Sequence, residues 1–189
     1  MTQGILNQKI TIKDFSYNKS KRIINSTQME TPIGTMFAYA VDQGICLLEF
    51  TDRKMLDRQF NVLSKLLNAS ILQSPNKHFE ILNQQLNEYF EGKRKEYSVP
   101  LIIPGTEFQQ SVWGGLQRIP YGSTLSYKQQ SLALNKPEAI RAVAHANGMN
   151  RIAIVIPCHR VIGSDGQLTG YSGGEWRKRW LIDLEQANK

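Results

Sequence analysis

The sequence predicts an α+β protein in two parts. A small N-terminal unit with an antiparallel sheet and helices precedes a mostly helical, winged-helix-like unit containing a helix-turn-helix. Three observations carry this prediction. Residues 23–50 read as short strands broken by TPIG and DQG, residues 52–92 change to helical spacing, and two short helices meet at an NKP turn well after Pro100 and Pro104. The expected division is a basic lead-in over residues 1–22, an α/β unit over 23–100 and a second unit over 101–189.

Taken in order, the lead-in carries Lys9, Lys13, Lys19, Lys21 and Arg22 with little periodicity after Ile12, and is expected to be mobile. RIINSTQME, TMFAYAV and ICLLEF form a predicted antiparallel meander, since their Thr, Ile and aromatic content suits a pleated surface. DRKMLDRQFNVLSKLL sets Met55, Phe60, Leu63 and Leu67 near a helical repeat. In NKHFEILNQQLNEYFEGK, a stripe of Phe79, Leu82, Leu86 and Phe90 ends at Gly92. GKRKEYSVPLIIPG is the connector, because Pro100 and Pro104 discourage helix.

Beyond it, TEFQQSVWGGLQRI opens on a Thr-x-x-Gln cap and places Phe108, Val112 and Leu116 on one face. A short helix follows from about Ser126, and another is expected from Pro137 to Gly148, with proline in its first turn. The second of these is thin, with Ala139, Ala142, Ala144 and Ala146 around one long cationic side chain, Arg141. A thin helix can approach another surface closely. IAIVI, residues 152–156, reads as a buried strand that Pro157 must end, so Cys158 is expected at a strand end.

Composition narrows the function. The 189 residues are 41% hydrophobic and 21% charged, as in a globular protein, and no stretch approaches the roughly 20 apolar residues of a membrane span. The first residues lack the apolar block of a secretory signal, which implies a cytoplasmic location. The net charge is +7 and the pI about 9.5. The basic excess lies on both sides of the boundary, 13 basic against 10 acidic residues up to Pro100 and 10 against 6 beyond it, which favours a polyanionic partner. Cys46 and Cys158 form no CxxC and no zinc-like cluster with His78, His145 or His159, so no metal and no disulfide are expected.

The chemistry then concentrates at IPCHRV, residues 156–161. An ordinary thiol, with a pKa of about 8.5, is only a few per cent thiolate at neutral pH, so a nucleophilic cysteine needs a base. His159 adjoins Cys158, but neighbours on an extended chain point apart, and a bridging water is the expected proton path. A carboxylate would orient the imidazole. The last helix, GEWRKRWLIDLEQ, offers Asp183 and Glu185, and the residues alone do not choose between them.

Five blocks in order carry a resemblance: GTEFQQSVW, IPYGSTLSY, RAVAHANGMN, IPCHRVIG and GYSGGEWRKRWLIDLE. Together they span nearly all of residues 105–185, which resembles the catalytic domain of the methylated-DNA–protein-cysteine methyltransferases, the alkylguanine-DNA alkyltransferases. Residues 23–98 fit the family's smaller N-terminal domain in length and element order. The resemblance implies a single-turnover repair protein without a cofactor. Such a protein acts as a monomer on the minor groove of double-stranded DNA, flips the damaged guanine, and moves its alkyl group irreversibly from 6-O-alkylguanine, or 4-O-alkylthymine, onto its own cysteine.

By match to the family motifs, Cys158 is the acceptor, His159 the water-mediated base and Glu185 the carboxylate behind it. Asn150 braces the turn before the cysteine, Tyr127 assists flipping and bonds the base, and Arg141 fills the gap in the base stack. Ala142, Lys128 and Arg151 join Arg141 and Tyr127 as expected DNA contacts, while Val161, Tyr171, Ser172 and Gly173 are expected to line the substrate pocket. Extruding a base costs a few kcal/mol, and an inserted guanidinium offsets part of that. The chain departs from the pattern at Ala153 and Arg151, where relatives often carry proline. Three other readings compete: a thiol hydrolase using Cys158, His159 and Glu185, which would turn over; a lesion sensor that binds without reacting, whose relatives replace the cysteine that this chain keeps; and a purely structural DNA-binding module, in which Cys158→Ala would leave every activity intact.

Overall fold

The computed structural model describes residues 22–189, so the expected basic lead-in lies outside the described residues except for Arg22, which opens the first strand. Strands β1 (Arg22–Met29), β2 (Met36–Val41) and β3 (Gly44–Phe50) form the predicted antiparallel meander. The sheet is mixed, however, with order β3-β2-β1-β4, because β4 (Ala69–Gln73) returns after a helix to pair parallel with β1. The sequence reading missed β4. Five residues of Ala, Ser, Ile, Leu and Gln show no clear alternation, and the strand forms because β1 offers it a free edge.

Both faces of the sheet are covered, which is why β2 and β3 are buried along their whole length. On one face, α1 (Leu56–Leu67) packs Phe60 and Leu63 against Ile24, Phe37, Tyr39, Cys46 and Leu47. Met55, expected on the apolar stripe of this helix, instead sits at its N-cap with φ 61° and is 64% exposed; Leu56 takes the buried place. On the other face, α2 (Lys77–Phe90), capped by the Asn76 side chain, lays Phe79, Leu82, Leu86 and Tyr89 into a core shared with the C-terminal half. The connector over residues 91–106 holds no helix and no named strand.

The C-terminal half is mostly helical, as expected. Helix α3 (Glu107–Gln117) begins with a capping box between Thr106 and Gln109 and buries Val112, Trp113 and Leu116. Helix α4 (Tyr127–Ala133) begins with a second box between Ser126 and Gln129. Each such cap is worth about 1 kcal/mol and fixes where its helix starts. After a turn in which Asn135 takes φ 56°, Pro137–Ala139 form one 3-10 turn and α5 (Ile140–Gly148) follows. Two residues, β5 (Leu125–Ser126), pair parallel with β6 (Val161–Ile162), and α6 (Glu175–Ala187) closes the chain. No helix of the described residues is long and apolar enough to cross a membrane.

The expected strand at IAIVI is not one. Only Ile152 bridges to the sheet, through Leu48 N–H to Arg151 O and Ala153 N–H to Leu48 O, both 2.8 Å. The chain then coils, with Ile154 at φ 70° and Ile156 N–H bonded back to Ile152 O at 3.0 Å. The run is as buried as a strand would be, but its backbone is satisfied by a turn that brings Cys158 back beside Asn150. Cys158 therefore starts a 3-10 turn, Cys158–Arg160, rather than ending a strand.

Candidate active site

The turn is held by the amide of Asn150. Its Oδ1 accepts from Ile152 N–H at 3.0 Å, and its Nδ2 donates to Ile156 O at 2.8 Å and to Cys158 Sγ at 3.2 Å. One buried side chain thus closes the loop and touches the thiol. A buried amide left half-satisfied is costly, so this geometry specifies itself.

His159 follows in the same 3-10 turn and is fully buried. Its Nε2 is 2.8 Å from Glu185 Oε1, and its Nδ1 is buried without a partner. Glu185, the inward-facing acid of α6, also accepts from Tyr89 Oη at 2.8 Å, Gly122 N–H at 3.0 Å, Arg160 Nε at 2.8 Å and Arg160 Nη2 at 3.0 Å. Asp183, two residues earlier, is exposed. Burial opposes the charge on Glu185, but the bonds and charges of His159 and Arg160 outweigh it and hold the carboxyl down at about 2. An ionised Glu185 can only accept, so Nε2 of His159 carries the proton and Nδ1 keeps its lone pair.

The sequence asks for a base beside the thiol, and the electrostatics show that the two groups rest uncharged. Burial pushes the Cys158 thiol up to about 11, with Glu49 adding to the rise while Asn150, Lys178 and Arg53 oppose it. Burial also pushes His159 below its usual range despite Glu185. Both groups are therefore neutral at rest at neutral pH. The resting site holds a thiol, an imidazole whose Nδ1 has no partner and a carboxylate on its Nε2, rather than an ion pair of thiolate and imidazolium.

Two further groups frame the thiol. Tyr127 at the start of α4 donates from Oη to Thr169 O at 3.2 Å; burial and the nearby thiol raise its pKa, so it keeps its proton. Lys178, fully buried on α6, donates from Nζ to the same carbonyl at 2.7 Å, and burial lowers it to about 8. Lys178, Arg160 and Tyr89 were not singled out from the sequence. WRKRW reads as a solvated charge run, and only the helical phase, which turns Lys178 inward with Leu181, Ile182 and Glu185, could have found it.

The residues expected to form the pocket wall are gathered only in part. Val161, Tyr171 and Gly173 are buried and Ser172 half-buried. Tyr171, Ser172 and Gly173 line a cleft of about 490 Å³ that Asp52, Arg53 and Lys54 face from the N-terminal half; Cys158 and Val161 are not among its lining residues. Arg141 and Ala142 on α5 and Lys128 on α4 are exposed. Arg151 is not: it turns inward, donates to Pro104 O at 2.5 Å and lies 5.6 Å from the Trp113 ring centroid. The expected DNA contact at Arg151 is thereby corrected to a packing role at the connector.

Comparison with known proteins decides the family. Residues 24–103 match the model of the 6-O-methylguanine DNA methyltransferase ribonuclease-like domain, and residues 107–187 match that of the 6-O-methylguanine DNA methyltransferase DNA binding domain. A methylated-DNA–protein-cysteine methyltransferase of Methanosarcina barkeri is 41% identical over 160 residues, covering 85% of this chain and 96% of that one. The chain belongs to the methylated-DNA–protein-cysteine methyltransferase family. The constitutive methyltransferase of Bacillus subtilis is 40% identical across 86% of this chain and 95% of its own. The fold matches that of this family too. The Mycobacterium tuberculosis OGT solved in complex with DNA is 37% identical, covers 88% of this chain and 94% of its own, and superposes with a TM-score of 0.73. Among methyltransferases of this family, the present chain is thus matched over both halves of its described length.

Proposed function

We propose that the protein repairs DNA by direct reversal, moving the alkyl group of 6-O-alkylguanine, and of 4-O-alkylthymine, irreversibly to Cys158. The observation that carries the reading is a Cys158 Sγ held by Asn150 and followed by a His159 whose free Nδ1 is backed by the Glu185 carboxylate, in a chain of this family.

In this reading the thiol proton passes through a water to His159 Nδ1. Sulfur bonds to the alkyl carbon as the carbon–O6 bond breaks, and guanine gains a proton from the Tyr127 hydroxyl, which His159 and solvent resupply. One proton leaves sulfur and one arrives on guanine, so the count closes. A thioether has no good leaving group, which makes each molecule act once. The neutral resting thiol fits this single use, because a buried neutral sulfur resists chance electrophiles until a substrate is in place.

The exposed Arg141 and Ala142 on thin α5, with Lys128 nearby, suit entry into the minor groove of double-stranded DNA by a monomer. Arg141 would occupy the place of the flipped guanine, and Val161, Tyr171, Ser172 and Gly173 would form the pocket that receives it. A free thiol requires a reducing compartment, and we place the protein in the cytoplasm. The experiment is intact-protein mass measurement after mixing with excess duplex bearing 6-O-methylguanine. The expected result is one methylene equivalent gained, on the peptide containing Cys158; turnover with an unmodified cysteine contradicts the reading and favours a hydrolase.

A further inference from the structure

The segment Glu49–Arg53 belongs to the end of β3 and the turn after it, yet its side chains contact both the turn that carries Asn150 and the loop at Gly173. Arg53 is 9% exposed and donates from Nη2 to Gly148 O at 2.8 Å and from Nη1 to Asn150 O at 3.1 Å. Its charge is paired with Glu49, which is 1% exposed. Gly148 ends α5, and Asn150 is the residue whose amide reaches the sulfur. Phe50 packs so closely on Gly173 that a Cβ there would lie 2.8 Å from its ring. Arg177, 4.1 Å from the Phe50 centroid, pairs with Asp52 through two bonds of 2.9 Å and donates to Gly173 O at 2.7 Å.

A buried ion pair contributes little net stability, because desolvation offsets its attraction. What Arg53 does accomplish is geometric. Its planar fork reaches two carbonyls two residues apart and fixes the backbone from which the Asn150 side chain projects. Resting on the transfer reading above, we propose that Arg53 is a positioning residue for the transferring thiol, holding the Gly148–Asn150 turn from the N-terminal unit so that Asn150 keeps its amide on Cys158 Sγ. The two halves are then one catalytic device, and the sheet is a part of the site.

The groups facing Cys158 are Glu49 and Arg53 from the β3 end, Lys178 from α6, Tyr127 from α4, Tyr171 from the loop before α6, and His159 next in the chain. Among them Arg53 favours the thiolate both by its own charge and through Asn150, whereas Glu49 opposes it. This gives two substitutions with opposite expected signs.

The test is the single-turnover transfer rate on a 6-O-methylguanine duplex at saturating protein, measured across pH for the full chain and for Arg53→Met, Glu49→Gln and the double variant. Arg53→Met should slow transfer at neutral pH about tenfold, the rate equivalent of one pKa unit, and move the rise of the profile to higher pH. Glu49→Gln should move it to lower pH, and added guanidinium should restore part of the rate of Arg53→Met. The double variant leaves no charge unpaired, so it keeps a fold in which to read the loss of rate if Arg53→Met alone unfolds. A folded Arg53→Met with wild-type rate and profile overturns the proposal, as do shifts of the same sign in both single variants; in the double variant the two charge effects offset, so a wild-type rate there overturns it as well. No transfer by the unsubstituted protein would instead overturn the repair reading beneath it.

Discussion

The chain's two cysteines are both free and both buried, and burial pushes both thiols up, Cys46 to about 12 and Cys158 to about 11. Their surroundings differ. Cys46 lies under α1 among Ile24, Phe37, Tyr39, Leu47 and Phe60, and besides burial only its own backbone bears on its thiol. Cys158 is held by an amide and stands within the fields of Lys178, Arg53 and Glu49, with a free imidazole nitrogen on the next residue. Burial therefore does not separate a packing cysteine from a reagent. The separating feature is a set of groups that can take the proton and the charge once a substrate fills the pocket.

The comparison breaks most sharply by exchange. Cys158→Ala should abolish alkyl transfer, and should change stability by no more than about 1 kcal/mol, because Asn150 keeps its stronger bond to Ile156 O. Cys46→Ala should leave transfer intact and cost about 1–2 kcal/mol, since a sulfur-sized void opens in a packed core. Urea unfolding and mass analysis of the same two proteins read both effects. If Cys46→Ala also stopped transfer, the distinction drawn here would fail.

The second largest effect is expected from Glu185→Gln. Five donors converge on the carboxylate, and the amide puts an –NH2 among them while leaving the Arg160 charge unbalanced. Removing one partner of a buried pair costs roughly 3–5 kcal/mol, and transfer should fall by about a hundredfold or more as His159 loses its fixed tautomer. The pH dependence has a definite sign. Glu185 titrates near 2 in the fold against an ordinary 4.5, so its stabilisation is complete above 4.5 and is lost as pH falls from there towards 2. That limb amounts to about 3 kcal/mol in the unsubstituted protein and should be missing in the variant. Urea midpoints between pH 2 and 7 would show it as a shallower acid limb in the variant; an acid limb of equal depth in both proteins would contradict the assignment.

How much of this was legible in the sequence follows from the range of the forces involved. Helix starts were, because a cap is local: Thr106 with Gln109 and Ser126 each announce the helix that follows within four residues. The meander was legible for the same reason, its strands joined by short turns. β4 was not, since its pairing with β1 depends on an edge more than 40 residues away. IAIVI misled because β-branched residues signal burial as much as extension, and the side chain of Asn150, not the run itself, chose a turn. At the site, the motifs pointed to Cys158 and His159, but the choice between Asp183 and Glu185 lay in the phase of α6 against the rest of the protein. The same phase hid Lys178.

The smallest effect is expected from Lys178→Met, and it tests whether a cation distinguishes the two thiols. Lys178 titrates near 8 in the fold against an ordinary 10.5. Below pH 8 it is charged in both states and burial of that charge opposes folding in full. Between 8 and 10.5 the folded protein has released the proton while the unfolded chain keeps it, so stability rises with pH through that window. The rise appears as a growing difference in urea midpoint between the parent and Lys178→Met, a comparison in which the opposite drift from Cys158 largely cancels. The same variant removes one of the charges that favour the thiolate. Labelling by iodoacetamide at constant pH should therefore rank Cys158 of the parent fastest, Cys158 of Lys178→Met a few-fold slower, and Cys46 slowest in both. An unchanged Cys158 rate would assign the difference between the two cysteines to Asn150 and Arg53 alone.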